Sequence, residues 1–545
     1  MTDSTDDRSG KKTLDVVLAA ALALGLSLAC LFAGAGAYNN DQWFILENGR
    51  WILENGFPRE DPFHVWGGSI VVENWLWSVV MYIAWNVTGS PVIPAMIVWS
   101  FGGLIVFTAW RISKEFSDSV MSASLSALFA IIMIAGSLNM VMRPSVASLA
   151  LTMSALLMVV KYAKTGSRRY LAIIPLIMLL AFNLHMSMSW LVILVPGAFM
   201  LSHAITEAIL TKSGRRVSLV VVDYAVTVMA SVIMTILNPY GLDGSMFLLK
   251  SAGIADYRNQ IFELMPLVPL FDSGNTYYSI TAMISYLGIM VLCLLTLAGL
   301  FKPWRMVVAD ETGEATVSDM ILETWIAGVG LLASGIIATS LIAIRLNVIF
   351  VFSAPLLFSV ASIPMRRWLA KKTDSRHKCL EAILVVTVTI AVAMTPWAVT
   401  PIKIPLYDWW YGYVSSLDTT LVEEELDKSG GKPGDKVWSD GIYGAYLVWK
   451  GYKVTHDMRP ELIEPALNGK PGHHYYDYTD AQYFDDESAL ERTIRDGQAA
   501  GCKWWVVDDS KPVGKKLAGD SNYEKVGSVP DFDVSIYEYI GGGRQ

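Results

Sequence analysis

Two acids, Asp41 and Asp61, stand in the stretch NNDQWFILENGRWILENGFPREDPFHVWGGSIVVENWLW, just past the first long apolar run. A carboxylate beside a membrane surface costs free energy unless it is hydrated, paired or put to use. Set against a hydroxyl, it can take the proton as a general base, which asks only for position and a suitable pKa. Asp41 also fits a plain helix cap, since Asp is a favoured N-cap. Asp61 precedes a proline, which favours an extended or turn conformation. His64 has the spacing to orient Asp61 or meet a phosphate, although a lone histidine in such a place is more often incidental.

A second set of candidates is cationic: Arg143 in LNMVMRPSV, Arg258 in the long loop after NPYG, and Arg345 in LIAIRLNVIF. A planar guanidinium suits two-pronged recognition of a phosphate. A nearby acid or a lipid headgroup would explain each of them as well. Asn183 and His185, in AFNLHMSMSW, read first as a hydrogen-bonded turn. His473, His474 and the acidic runs 423–425 and 485–487 read as solvated surface. The cysteines Cys30, Cys293, Cys379 and Cys502 have neither metal-ligand spacing nor a disulfide pattern. No glycine-rich phosphate loop, serine-nucleophile motif or zinc pattern is present.

The elements that must position these groups follow from composition. The chain is 53% apolar and 17% charged over 545 residues, and its apolar residues fall in blocks of bilayer-spanning length. The class is an α-helical polytopic membrane protein. About eleven spans are expected, near 14–38, 91–110, 119–138, 145–160, 170–185, 187–205, 217–237, 277–300, 321–343, 346–364 and 379–399. With the N-terminus inside, 20 Lys and Arg lie in inner segments before residue 400. Only Arg50, Arg59, Arg143, Lys250, Arg258 and Arg345 lie outside, which sets the orientation. Counting 73–89 as a span would invert every later loop, so it reads as a helix in the outer interface. The repeat of ILENG at a seven-residue offset places Ile45 and Ile52 on one helix face, with Gly49 between them weakening the helix.

The expected division is a membrane domain over 1–400, whose first outer loop is 39–90, and an extracytoplasmic α/β domain over 401–545. In the latter, β-rich runs (KVWSD, AYLVW, YKVTH, KWWVVDD, VSIYEYI) are set among Gly, Pro and acidic turns, with helices at LVEEELDK and ESALERTIRDGQAAG. From residue 400 onward 25 acids face 16 Lys and Arg, an acidic balance that argues against a nucleic-acid partner.

Laid out this way, the chain resembles the bacterial GT-C-fold membrane glycosyltransferases. The resemblance rests on the first loop, an acid followed by Gly-Arg-Trp, Gly-x-Pro, Asp-Pro-Phe and Glu-x-Trp-Leu. NLH at 183–185, NPYG at 238–241, RLN at 345–347 and DGIYGAYLVWKGYKVTHDMRPEL in the tail follow in order. It implies an inverting enzyme of the plasma membrane that transfers a sugar from a polyprenyl-phosphate donor to an extracytoplasmic glycan, lipid or protein. Asp41 would be the base, Asp61 a second acid and Glu73 a supporting one. Arg345 would hold the donor phosphate, with Arg258 and His185 as weaker ligands. Family members often carry two adjacent acids, whereas Asn39 and Asn40 precede Asp41 here, so no metal or other cofactor is expected. A lipid-linked-sugar flippase or a non-catalytic envelope scaffold are the rival readings. A flippase would show broken polar spans in related halves, which this chain lacks.

Overall fold

The computed structural model describes residues 41–89, 92–116, 142–210, 214–252, 276–300, 315–370 and 417–541, less four single positions in the last stretch, with pieces of 123–133. The chain divides into two compact units. One comprises 1–37, 96–238 and 261–403, the other 38–95, 239–260 and 404–545.

The second unit opens with α1 (Asp41–Asn55) and α2 (Trp75–Thr88), joined by an extended segment. Gly49 does not break α1. A Cβ there would fall inside the Ser78 carbonyl oxygen, so this glycine lets α1 and α2 touch along their backbones. Ile45 and Ile52 are both buried, as their shared face requires.

The helical unit carries α3 (Val92–Phe116), which begins just before it, then α4 (Ser145–Thr165), α5 (Arg169–Leu184), α6 (Leu191–Leu210) and α7 (Gly214–Met234). The helix α8 (Leu242–Ala252) belongs to the other unit, and α9 (Thr276–Leu300), α10 (Ala315–Leu341) and α11 (Ile349–Ala370) complete the series. Apart from α8, these helices overlie the stretches expected as spans from 91–110 through 346–364, while 14–38, 379–399 and most of 119–138 lie outside the described residues. Among the described residues four helices are long and apolar enough to cross a bilayer: Ile93–Phe116, Ser145–Thr165, Met186–Ala208 and Met320–Leu341. Glycines set the packing of α10 on α11. A Cβ at Gly335 would sit 2.6 Å from the Phe350 ring, and one at Gly328 would sit 2.9 Å from Leu357. Close approach through small residues is the usual way membrane helices associate.

The tail begins with α12 (Leu417–Lys428), ended by the Ser-Gly-Gly that follows it. Next come β1 (Lys436–Ser439), α13 (Gly441–Trp449), β2 (Lys453–Val454), α14 (Pro465–Asn468), α15 (His474–Tyr483) and α16 (Glu487–Ala499). The chain closes with β3 (Trp504–Asp508), α17 (Pro512–Ala518), β4 (Tyr523–Val529) and β5 (Val534–Tyr539). The sheet order is β2-β1-β3-β5-β4. The β1–β2 and β1–β3 pairs are parallel and the pairs made by β5 are antiparallel. Trp438 and Trp505 stack at 5.4 Å in its core, under α16, where Gly497 leaves room for both rings.

One expected strand is a helix. AYLVW lies in α13, which packs Trp43 of α1 against Tyr446 at 4.8 Å. A five-residue apolar run has no readable period, and here the helix wins because Gly444 lets it sit against the His456 carbonyl, where any Cβ would collide. Gly444→Ala is expected to cost about 1–3 kcal/mol through this overlap. Thermal unfolding in detergent measures the loss, and an unchanged midpoint would mean that α13 can slide aside freely.

Candidate active site

The segment between α1 and α2 is built onto the tail. Val65 N donates to Val454 O at 3.0 Å and Val454 N donates to Phe63 O at 3.1 Å, so residues 63–65 run parallel along the outer edge of β2. Trp66 donates from its indole N–H to Thr455 O at 2.8 Å and stacks on His474 at 3.9 Å. His474 also pairs with Asp496 at 2.9 Å, so of the two histidines read as surface only His473 is exposed.

This pairing carries a buried row of charges. His64 Nδ1 lies 2.7 Å from Asp61 Oδ2, and its Nε2 makes an ion-pair contact with Asp457 Oδ1 at 3.3 Å. Arg459 donates to Asp457 Oδ2 through Nε at 2.8 Å and Nη2 at 2.5 Å, and through Nη1 to Asn48 Oδ1 of α1 at 3.2 Å. The other Asp61 oxygen accepts from Phe63 N at 2.9 Å. Two carboxylates and two cations thus balance inside the protein, which is the condition for burying any of them.

The protonation states follow. Burial disfavours the imidazolium, yet the two flanking carboxylates raise His64 to about 9. Burial likewise opposes charge on Asp61 and Asp457, but His64 and Arg459 hold both below the usual carboxylate range. The linkage has a definite sign. A histidine raised from 6.5 to about 9 contributes stability that is complete below pH 6.5 and lost as pH climbs through about 9. The lowered acids contribute stability present above their ordinary pKa and lost on acidification. Unfolding followed by tryptophan fluorescence is therefore expected to show a loss on the order of 3 kcal/mol between pH 6.5 and 9.5. A flat profile over that range would mean that His64 is neutral in the folded protein.

Asp41 opens α1 and is nine-tenths buried. Glu73 lines a cavity of about 40 Å³ with Phe44, Asn48, Asn74 and Arg459, room for a water or two. Next to them, burial pushes Glu47 up to about 7 despite Arg50 at 2.5 Å. Arg50 in turn donates to Trp449 O at 3.0 Å and lies over that ring.

In the helical unit His185 is buried, with Ser148 Oγ 3.3 Å from Nδ1 and Ser187 Oγ 2.9 Å from Nε2. Asn183 donates to the Leu179 and Leu237 carbonyls, so it ties the turn between α5 and α6 to the end of α7. Arg143 is half-buried in the turn before α4. Arg345 belongs to the short 3-10 segment Ile344–Val348, its side chain lying outside the described residues, as does Arg258 altogether. The structure thus joins Asp61 to His64 and brings Glu73 beside Arg459. Sequence reading missed Asn48, Glu47, Asp457 and Arg459 as members of the site, and the one available signal was the Asp-x-Arg of the tail motif.

No protein-family model matches the chain, and no curated protein sequence matches it. Solved structures do. An Archaeoglobus fulgidus oligosaccharyltransferase, in complex with Zn and sulfate, matches at TM-score 0.51 and 12% identity, over 91% of this chain and 69% of that one. ArnT from Cupriavidus metallidurans matches in its apo state at TM-score 0.54 and 11% identity, over 98% and 100% of the two chains. The same protein bound to undecaprenyl phosphate matches at TM-score 0.50 and 12% identity, over 97% and 99%. The chain shares its fold with these proteins, and that is the GT-C fold its loop and tail motifs resemble.

Proposed function

We propose that this protein is a membrane glycosyltransferase that takes a sugar from a polyprenyl-phosphate donor and passes it to an acceptor hydroxyl outside the cytoplasm. The observation that carries the reading is the full-length likeness to ArnT, one of whose matched structures holds undecaprenyl phosphate. In the proposed reaction the acceptor oxygen attacks the anomeric carbon, the bond from that carbon to the donor phosphate breaks, and the configuration inverts. The acceptor proton passes to the Asp41 carboxylate. The polyprenyl phosphate leaves with its negative charge, which arginine would hold as it develops. Arg345 is the foremost candidate for that task, followed by Arg258, with Arg143 and His185 as weaker ones.

Asp61 enters this reading as a shaping residue, because both of its oxygens are engaged by His64 and Phe63 N. Glu73 is a supporting acid for substrate binding, lining the small cavity beside Arg459. The N-terminus would lie in the cytoplasm and the first loop and tail on the outer face, in keeping with the distribution of Lys and Arg.

The test is transfer in nanodiscs from a panel of polyprenyl-phosphate hexoses and pentoses, with and without a chelator. A glycosylated product and a released polyprenyl phosphate are expected from at least one donor, and no metal should be needed. Tight binding of polyprenyl phosphate without turnover of any donor would instead favour the flippase or the scaffold.

A further inference from the structure

Asp41, Phe44 and Asn48 are spaced three and four residues apart, so they share one face of α1. Arg459 holds that face. Its Nη1 donates to Asn48 Oδ1 at 3.2 Å, and its guanidinium lies over the Phe44 ring at 4.9 Å. The guanidinium cannot swing away. Two of its nitrogens grip Asp457, whose carboxylate faces His64, and His64 is fixed on Asp61. Arg459 is itself 4% exposed, so these bonds are shielded from bulk solvent.

We propose that Arg459 of the tail is a positioning residue that fixes the face of α1 presenting Asp41. The inference rests on the reading of Asp41 as the base. Seven residues of helix place Asn48 about 10 Å from Asp41 along the axis. At that lever arm a tilt of about 10°, the limit of productive site geometry, displaces the Asp41 end by about 2 Å. Misplacement of about 1 Å can cost about 10²-fold in rate. The planar fork explains why arginine serves: it spans an acid and an amide at once, which a lysine ammonium does not.

The experiment compares Asn48→Leu with Asn48→Gln in the full-length protein. Three readouts are taken: kcat for transfer, KM for the donor, and hydrogen–deuterium exchange of residues 41–55. Asn48→Leu removes the acceptor for Arg459. Its kcat should fall about 10–100-fold with donor KM within about threefold, and exchange across α1 should rise. Asn48→Gln keeps a neutral amide acceptor and should recover most of the kcat and of the exchange protection that Asn48→Leu loses. If Asn48→Leu does not fold, Arg459→Lys, which keeps the charge and loses the fork, takes its place with the same expectations. Normal kcat, or a lower kcat with unchanged exchange in α1, would overturn the proposal. Full activity in Asp41→Asn, by contrast, would sink the assignment of the base alone, because the exchange readout does not depend on it.

Discussion

Asp41→Asn is expected to lower kcat for sugar transfer by about 10²–10⁴-fold, the range that general-base catalysis supplies. The substitution is nearly isosteric, and Asn caps a helix as well as Asp does. The start of α1 should therefore keep its structure, with stability changed by no more than about 0.5 kcal/mol. Donor affinity should also hold, because the change removes a proton acceptor and leaves the phosphate ligands alone. The measurement is kcat and donor Kd on matched samples whose unfolding midpoints agree. A loss of stability comparable to the loss of activity would mean that Asp41 serves α1 as a cap. Retained activity would move the base elsewhere. Asp61 is then a poor successor, since His64 holds its carboxylate ionised and engaged on both oxygens. Glu47, raised to about 7 and nine-tenths buried on the same helix, would be the next residue to change.

The largest effect on stability is expected from His64→Leu. It removes the imidazolium between Asp61 and Asp457 and leaves two buried carboxylates with only Arg459 to balance them. Breaking a buried ion pair by deleting one partner typically costs about 3–5 kcal/mol, most of it the penalty of the charge left behind. The control follows from that cause. Adding Asp61→Asn to His64→Leu removes the stranded charge and should recover more than half of the loss, a coupling that a double-mutant cycle measures directly. A loss under about 1 kcal/mol for the single change, or a purely additive cycle, would mean that the row of charges is hydrated and the ion pairs are weak.

Much of the helical unit could be read in advance because each span satisfies its backbone within itself and declares its length in consecutive apolar residues. Asp61 and His64 were visible as a pair because they stand only three positions apart. Their partners were not. Asp457 and Arg459 come from the tail, and nothing local in HDMRPEL says which loop it will meet. The same holds for Gly49, whose role depends on the Ser78 carbonyl of another helix. α13 was misread because Tyr443, Tyr446 and Leu447 suit a strand face as well as a helix face, and only the contact with His456 decides. β4 escaped notice for the opposite reason: EKVGS in its middle holds no buried residue and offers no apolar alternation, and its place in the sheet comes from pairing with β5.

The strand-like pairing of residues 63–65 with β2 also sets a clock on biosynthesis. Trp66 and the Thr455 carbonyl it binds are separated by 389 residues. At about 5–20 residues per second, the loop waits about 20–80 s after leaving the ribosome before its partner edge exists. During that interval the ionisable side chains of Asp61 and His64 have only each other and solvent. A nascent chain halted before β2 would hold α1 and both acids yet lack the groups that fix them. Truncated or slowly translated forms should therefore fill the membrane normally and still be the ones drawn to chaperones and proteases.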